Sequence, residues 1–128
     1  MATQSVKKWL KFADASHKDA QILFRGKAYQ GAILSCHQAL EKYLKATAVA
    51  KDTRVLKTHD LPSLAKATGL KTPAEITDFL AELNAYYNPT RYPDAVPGPA
   101  LKFNRQTAAQ FLKISKVTIA WLKNQTNL

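Results

Sequence analysis

Apolar and small residues recur along most of this chain at three- and four-residue intervals, the spacing of one helix face. From about Ser5 to Gly26 they fall at Val6, Trp9, Leu10, Ala13, Ser16, Ala20, Leu23 and Phe24. Lys7, Lys8, Lys11, Asp14, Lys18 and Asp19 lie between them as a solvated face, which predicts a first helix. Ser5 is the expected N-cap and Gly26 the expected terminator. A second helix is predicted from about Tyr29 to Ala50. It carries two adjacent stripes, one of Ile33, Leu40, Leu44 and Ala48, the other of Ala32, Cys36, Ala39, Tyr43, Ala46 and Ala50. Two stripes imply a helix buried over most of its surface. Only Ser35, Gln38, Lys42 and Lys45 remain as a narrow polar strip, bordered by His37 and Glu41.

Downstream elements are shorter. A helix is predicted at about Asp60 to Thr68, with Asp60 as cap, Pro62 in the first turn and Gly69 ending it. A fourth begins at Thr72-Pro-Ala-Glu75, which reads as a capping box with proline at the first helical position. It carries Ile76, Phe79, Leu80, Leu83, Tyr86 and Tyr87 and stops before Pro89. Residues 88–103 hold four of the six prolines and do not continue a helix. Asn104 is the expected cap of the last helix, whose stripe runs from Ala108 through Phe111, Leu112, Ile114, Ser115 and Thr118 to Trp121 and Leu122. No segment has strand alternation. The expected fold is all-α, an up-and-down bundle of four main helices plus one short helix, filling residues 1–128 as one domain.

Composition narrows the class. At 128 residues with 46% hydrophobic and 22% charged positions, the chain has the makeup of a globular domain. One cysteine excludes an internal disulfide, and one Cys with three dispersed His gives no familiar zinc spacing. Neither a metal nor a cofactor is expected. No apolar run approaches a membrane span, and the charged N-terminus is unlike a signal peptide, so a cytoplasmic protein is expected. The net charge of +10 is carried by 15 Lys and four Arg. It suits nucleic acid, nucleotide or an acidic protein surface, and equally a charge that only maintains solubility.

Four groups of residues carry candidate chemistry. His37, Glu41 and Lys45 follow one another at four-residue spacing, so they share a helix face. They form either a lateral salt-bridge ladder or a semi-buried polar seam, in which Gln38 and His37 give directional hydrogen bonds and Lys42 and Lys45 give charge. His59 and Asp60 open the third helix, where Asp60 is a cap and His59 either a surface residue or an imidazole beside a bound anion. In Tyr86-Tyr87-Asn88-Pro89-Thr90-Arg91-Tyr92-Pro93-Asp94, Arg91 is suited to grip phosphate and Tyr92 to stack on a base. A rigid loop with Arg91 paired to Asp94 is the alternative. Finally, Arg54 and His59 stand five positions apart, a pairing that suits metal-free RNA cleavage but also arises by chance in a basic chain.

An opening helix with Trp9, the run Cys36-His37-Gln38-Ala39-Leu40-Glu41-Lys42-Tyr43-Leu44-Lys45-Ala46, then Thr58-His59-Asp60-Leu61, then Arg91-Tyr92-Pro93-Asp94 in this order resembles the HEPN domain family. The resemblance is to its non-toxin branch with a Tyr-Pro-Asp motif. It implies a helical bundle that dimerises, with a nucleotide- or RNA-related role beside a nucleotidyltransferase encoded as a separate chain. Some relatives are metal-independent endoribonucleases of toxin–antitoxin pairs. Their Arg–His signature is met here by Arg54 and His59, while Val55 and Asp60 depart from it. Carried over by residue, the resemblance covers Gln38, Glu41, Lys42 and Lys45, extends to His59 and Asp60, and reaches Arg91, Tyr92 and Asp94, and it implies binding positions among them. The expected function is a nucleotide-binding or accessory module; the alternatives are an endoribonuclease using Arg54 and His59, and a purely structural interaction bundle.

Overall fold

The first two helices make a tight antiparallel hairpin, in a computed structural model that describes residues 3–87 and 101–128. Helix α1 spans Gln4–Arg25 and α2 spans Tyr29–Ala50. The α1 cap is Thr3, not Ser5: the Val6 N–H donates to Thr3 Oγ1 at 3.2 Å, and nothing in Gln4-Ser5 stops the helix from beginning earlier. Gly26 does end α1, but it is Lys27, at φ 62°, that takes the left-handed conformation. The Lys27 and Ala28 N–H groups donate to Phe24 O and Leu23 O, so the last carbonyls are satisfied as the chain turns. The same closure ends α2, where Asp52 is left-handed and Thr53 N–H donates to Ala48 O. Ala13, Ser16 and Ala20 are buried on α1 and are small enough for close approach. Gly31 meets Leu23, and Lys42 meets Ser16, which gives the antiparallel register.

Short helices α3 (Leu61–Ala67) and α4 (Ala74–Ala85) follow, then α5 (Arg105–Thr126) returns along α2. Asp60 caps α3 through the Ser63 N–H at 3.0 Å, with Pro62 in the first turn and Gly69 left-handed at φ 74° just beyond. The capping box expected at Thr72 is not formed. Helix α4 starts one residue later, so Pro73 occupies the cap position, where it has no side chain able to accept a hydrogen bond. Asn104 caps α5, accepting from the Thr107 N–H at 2.9 Å.

The described residues are all helix and connection, with no strand, and form a helical bundle. Helix α2 is its centre, packed by α1, α3, α4 and α5. Ile33, Cys36, Leu40 and Leu44 from α2 meet Leu61 and Leu64, Phe79, Leu80 and Leu83, and Phe111 and Leu122 from the surrounding helices. Edge-on ring contacts of Phe111 with Phe79 and Tyr86, at 5.7 and 5.1 Å, join α4 to α5. Among the described residues no helix is long and apolar enough to cross a membrane. Because α2 is enclosed on nearly every side, its polar strip faces other helices, and that is where the site arises.

Candidate functional site

His37, Glu41 and Lys45 are all buried on α2, so each must be satisfied inside the protein. Their partners come from the start of α3 and the last turn of α4. Asn84 is the junction. Its Oδ1 accepts from the Leu61 N–H at 3.0 Å and from His37 Nε2 at 3.2 Å, and its Nδ2 donates to Asp60 Oδ1 at 2.9 Å. That network assigns the His37 proton to Nε2. Nδ1 is left as a buried lone pair without a hydrogen-bond partner, 4.0 Å from Glu41 Oε1. Burial pulls the His37 pKa below its ordinary value, outweighing the Asn84 bond and the Glu41 charge, so the ring is neutral at neutral pH.

Glu41 makes its bonds elsewhere. Its Oε1 accepts from His59 Nδ1 at 2.9 Å and its Oε2 from Lys45 Nζ at 3.0 Å. Burial alone would raise the Glu41 pKa. The hydrogen bonds from His59 and Lys45, and the Lys45 charge, win and hold it below the usual carboxylate range. Lys45 is also 5.5 Å from the Trp9 ring centroid, so a cation–π contact shares its charge. Asp60 too is held low, chiefly by the Ser63 side chain, which outweighs its slight burial.

The carboxylate bond fixes how His59 stands. With Nδ1–H given to Glu41, Nε2 is the nitrogen left for other partners. The His59 side chain is 60% exposed and lines a cavity of about 270 Å³ together with Thr58, Asp60, Asn84 and Tyr87. Tyr87 stacks on His59 at 5.2 Å and leans on His37 at 4.6 Å. An imidazole oriented by a carboxylate and backed by a ring is equipped to accept or donate one proton or one directional hydrogen bond.

A family model of the HEPN domain matches residues 6–125, a span that takes in every element of this site. The chain belongs to the HEPN domain family. Its fold is similar to that of TT1696 from Thermus thermophilus, with a TM-score of 0.82, 26% identity, and 95% of this chain and 98% of that chain covered. The archaeal HEPN homologue ST0689 aligns with a TM-score of 0.76 at 24% identity, covering 94% of this chain and 97% of that one. Among curated proteins, none matches.

On this HEPN bundle, Glu41, Lys45, His59 and Asp60 come together through Asn84 and the Glu41 carboxylate. Lys42 points away from them, donating to Ser16 Oγ at 2.7 Å on α1, and Gln38 is half-buried on α2. Arg54 is exposed in the loop between α2 and α3. Arg91, Tyr92 and Asp94 lie outside the described residues. The described residues hold no group of three or more His, Cys, Asp or Glu placed to take a metal ion. Sequence reading did not single out Asn84. The available signal was an amide in the last turn of α4, one position after buried Leu83 and three before Tyr87. No linear spacing connects it to His37 or Asp60.

Proposed function

We propose that this HEPN domain is a nucleotide-binding or accessory module that takes its ligand at the His59 cavity and works, as a homodimer, with a separate nucleotidyltransferase-like chain. The observation that carries this reading is the His59 imidazole, oriented by Glu41 and stacked on Tyr87 at the rim of a polar cavity. Family membership supports it, since HEPN domains are often nucleotide-binding or ribonuclease-like. His59 Nε2 and the Asn84 and Asp60 side chains would give directional bonds to a base or sugar, and the Tyr87 ring a stacking surface. Phosphate charge would fall to Arg91, which with Tyr92 follows Tyr87 closely in sequence. ATP, GTP and a short RNA are titrated against the purified protein by calorimetry. The expected outcome is saturable binding, weakened about tenfold by His59→Ala, the loss of one good polar contact. Absence of saturable binding at near-physiological salt defeats the reading.

The Glu41–His59 pair also favours a second reading, a toxin-like metal-independent endoribonuclease with His59 as acid/base and Arg54 as phosphate stabiliser. Labelled RNA is incubated with the protein in EDTA. Cleavage by the wild type but not by His59→Ala supports the activity, and equal survival of the RNA with both proteins ends it.

A further inference from the structure

A second surface lies away from the His59 cavity. Helices α1 and α5 both pack on α2 but touch each other little, which leaves a groove between them with Tyr43 of α2 in its floor. Two adjoining cavities of about 400 and 540 Å³ share Gln21 and Lys116 and make the groove continuous. It runs from Asp14 and Lys123 at one end to Arg25 and Ala109 at the other. With a helical rise of about 1.5 Å per residue, that is roughly 20 Å of α5.

Its chemistry is uneven. The walls are mostly apolar, formed by Phe24, Leu112 and Ile119 among others. The charged residues along it are five cations, Lys18, Arg25, Lys113, Lys116 and Lys123, against one carboxylate, Asp14. That carboxylate is already engaged, accepting from the Tyr43 hydroxyl and standing 4.0 Å from Lys123. Large apolar side chains continue outward on both helices, with Ile22 47% and Val117 58% exposed. An apolar trough between cationic rims is therefore the surface offered.

We propose that this groove docks an acidic amphipathic helix of another protein, its apolar stripe on Phe24 and Leu112 and its carboxylates on the lysine rims. Charge complementarity selects this occupant. A second copy of the chain would bring the same lysines against these. The chain's own residues 88–100 hold one carboxylate and one arginine, so they do not supply the negative charge. Single-stranded RNA would match the cations, but it needs open aromatic faces for its bases. Here Tyr43 is 3% exposed, and half-buried Phe24 has Arg105 over its ring and Tyr29 tilted against it, so it offers apolar surface to a side chain but no open face to a base. The groove shares no lining residue with the His59 cavity, so the two sites do not overlap.

The probe is a fluorescein-labelled peptide of about 15 residues, matched to the groove length, with Leu at helical i, i+3, i+4, i+7 spacing and Glu on the flanks. Its binding is followed by anisotropy at near-physiological salt. A peptide of identical composition in scrambled order and a short oligouridylate serve as competitors. The expected result is saturable binding of the patterned peptide, lost by about tenfold or more in Lys113→Glu/Lys116→Glu. Lys66→Glu/Lys71→Glu, an equal charge change at exposed positions outside the groove, should bind as the wild type does. Circular dichroism checks that both variants fold. The proposal is overturned if the scrambled peptide competes as well as the patterned one. Equal loss in the two double variants, or displacement by oligouridylate, overturns it too.

Discussion

Glu41 shows how one residue links stability to the candidate site. It is the common acceptor for Lys45 and His59, so replacing it with Gln leaves a nearly buried ammonium unpaired. The expected cost of Glu41→Gln is about 3 kcal/mol, read from urea unfolding. Glu41→Gln/Lys45→Met should recover most of it, because an apolar pair removes the stranded charge; no recovery would mean that the ion pair is not the source. His37 sets a separate pH dependence. Its folded pKa lies below the ordinary value of about 6.5, so its contribution is complete above that pH. As pH falls through the folded value, the unfolded chain takes the proton first and stability drops. Urea midpoints should be level from about pH 8 to 6.5 and decline below it. His37→Gln keeps a donor for Asn84 but cannot titrate, so its decline should be shallower. Some slope will remain from His17, which burial also lowers. Glu41, depressed rather than raised, adds a further loss only below about pH 4.5.

Among the elements, α3 depends most on its ends. Seven residues are too few for a helix to hold itself in water, and α3 is fixed by the Asp60 cap and the tie to Asn84 on α4. Asp60→Ala should cost about 1–2 kcal/mol, a lost cap plus a lost bond to Asn84. Asn84→Ala should cost at least as much, because it strands the Leu61 N–H and His37 Nε2 together. The double variant should cost clearly less than the two losses combined. Strict additivity in denaturant unfolding would show that Asp60 and Asn84 do not act as one unit.

Across the whole molecule, the enclosure of α2 governs access. Cys36 lies in its centre with no exposed surface, and burial pushes the thiol up to about 11. A thiol reagent should therefore modify Cys36 only as the chain unfolds, with labelling following the loss of helical signal in urea. Rapid labelling in buffer would show that the centre of the bundle opens locally. The same enclosure converts the polar strip of α2 into a buried seam and leaves α1 and α5 apart on the outer side. Both the His59 cavity and the basic groove follow from one helix being wrapped by four others.

The sequence by itself determined the helices. Their stripes, the Asp60 and Asn104 caps and the limits of α2 are local properties, set by a period of 3.6 and by side chains within four residues of one another. It also brought Glu41 next to Lys45 and marked His59 and Asp60 as a pair. Tertiary structure decided the rest. Asn84 lies 47 positions from His37 and 24 from Asp60, and no period joins residues so far apart. The bond between His59 and Glu41 spans 18 positions and exists because the loop after α2 folds back over its own helix. Lys42 and Lys45 read alike in one dimension. Helical rotation sends the first to Ser16 and the second to Glu41, and that separation can be seen only once the neighbouring helices are in place.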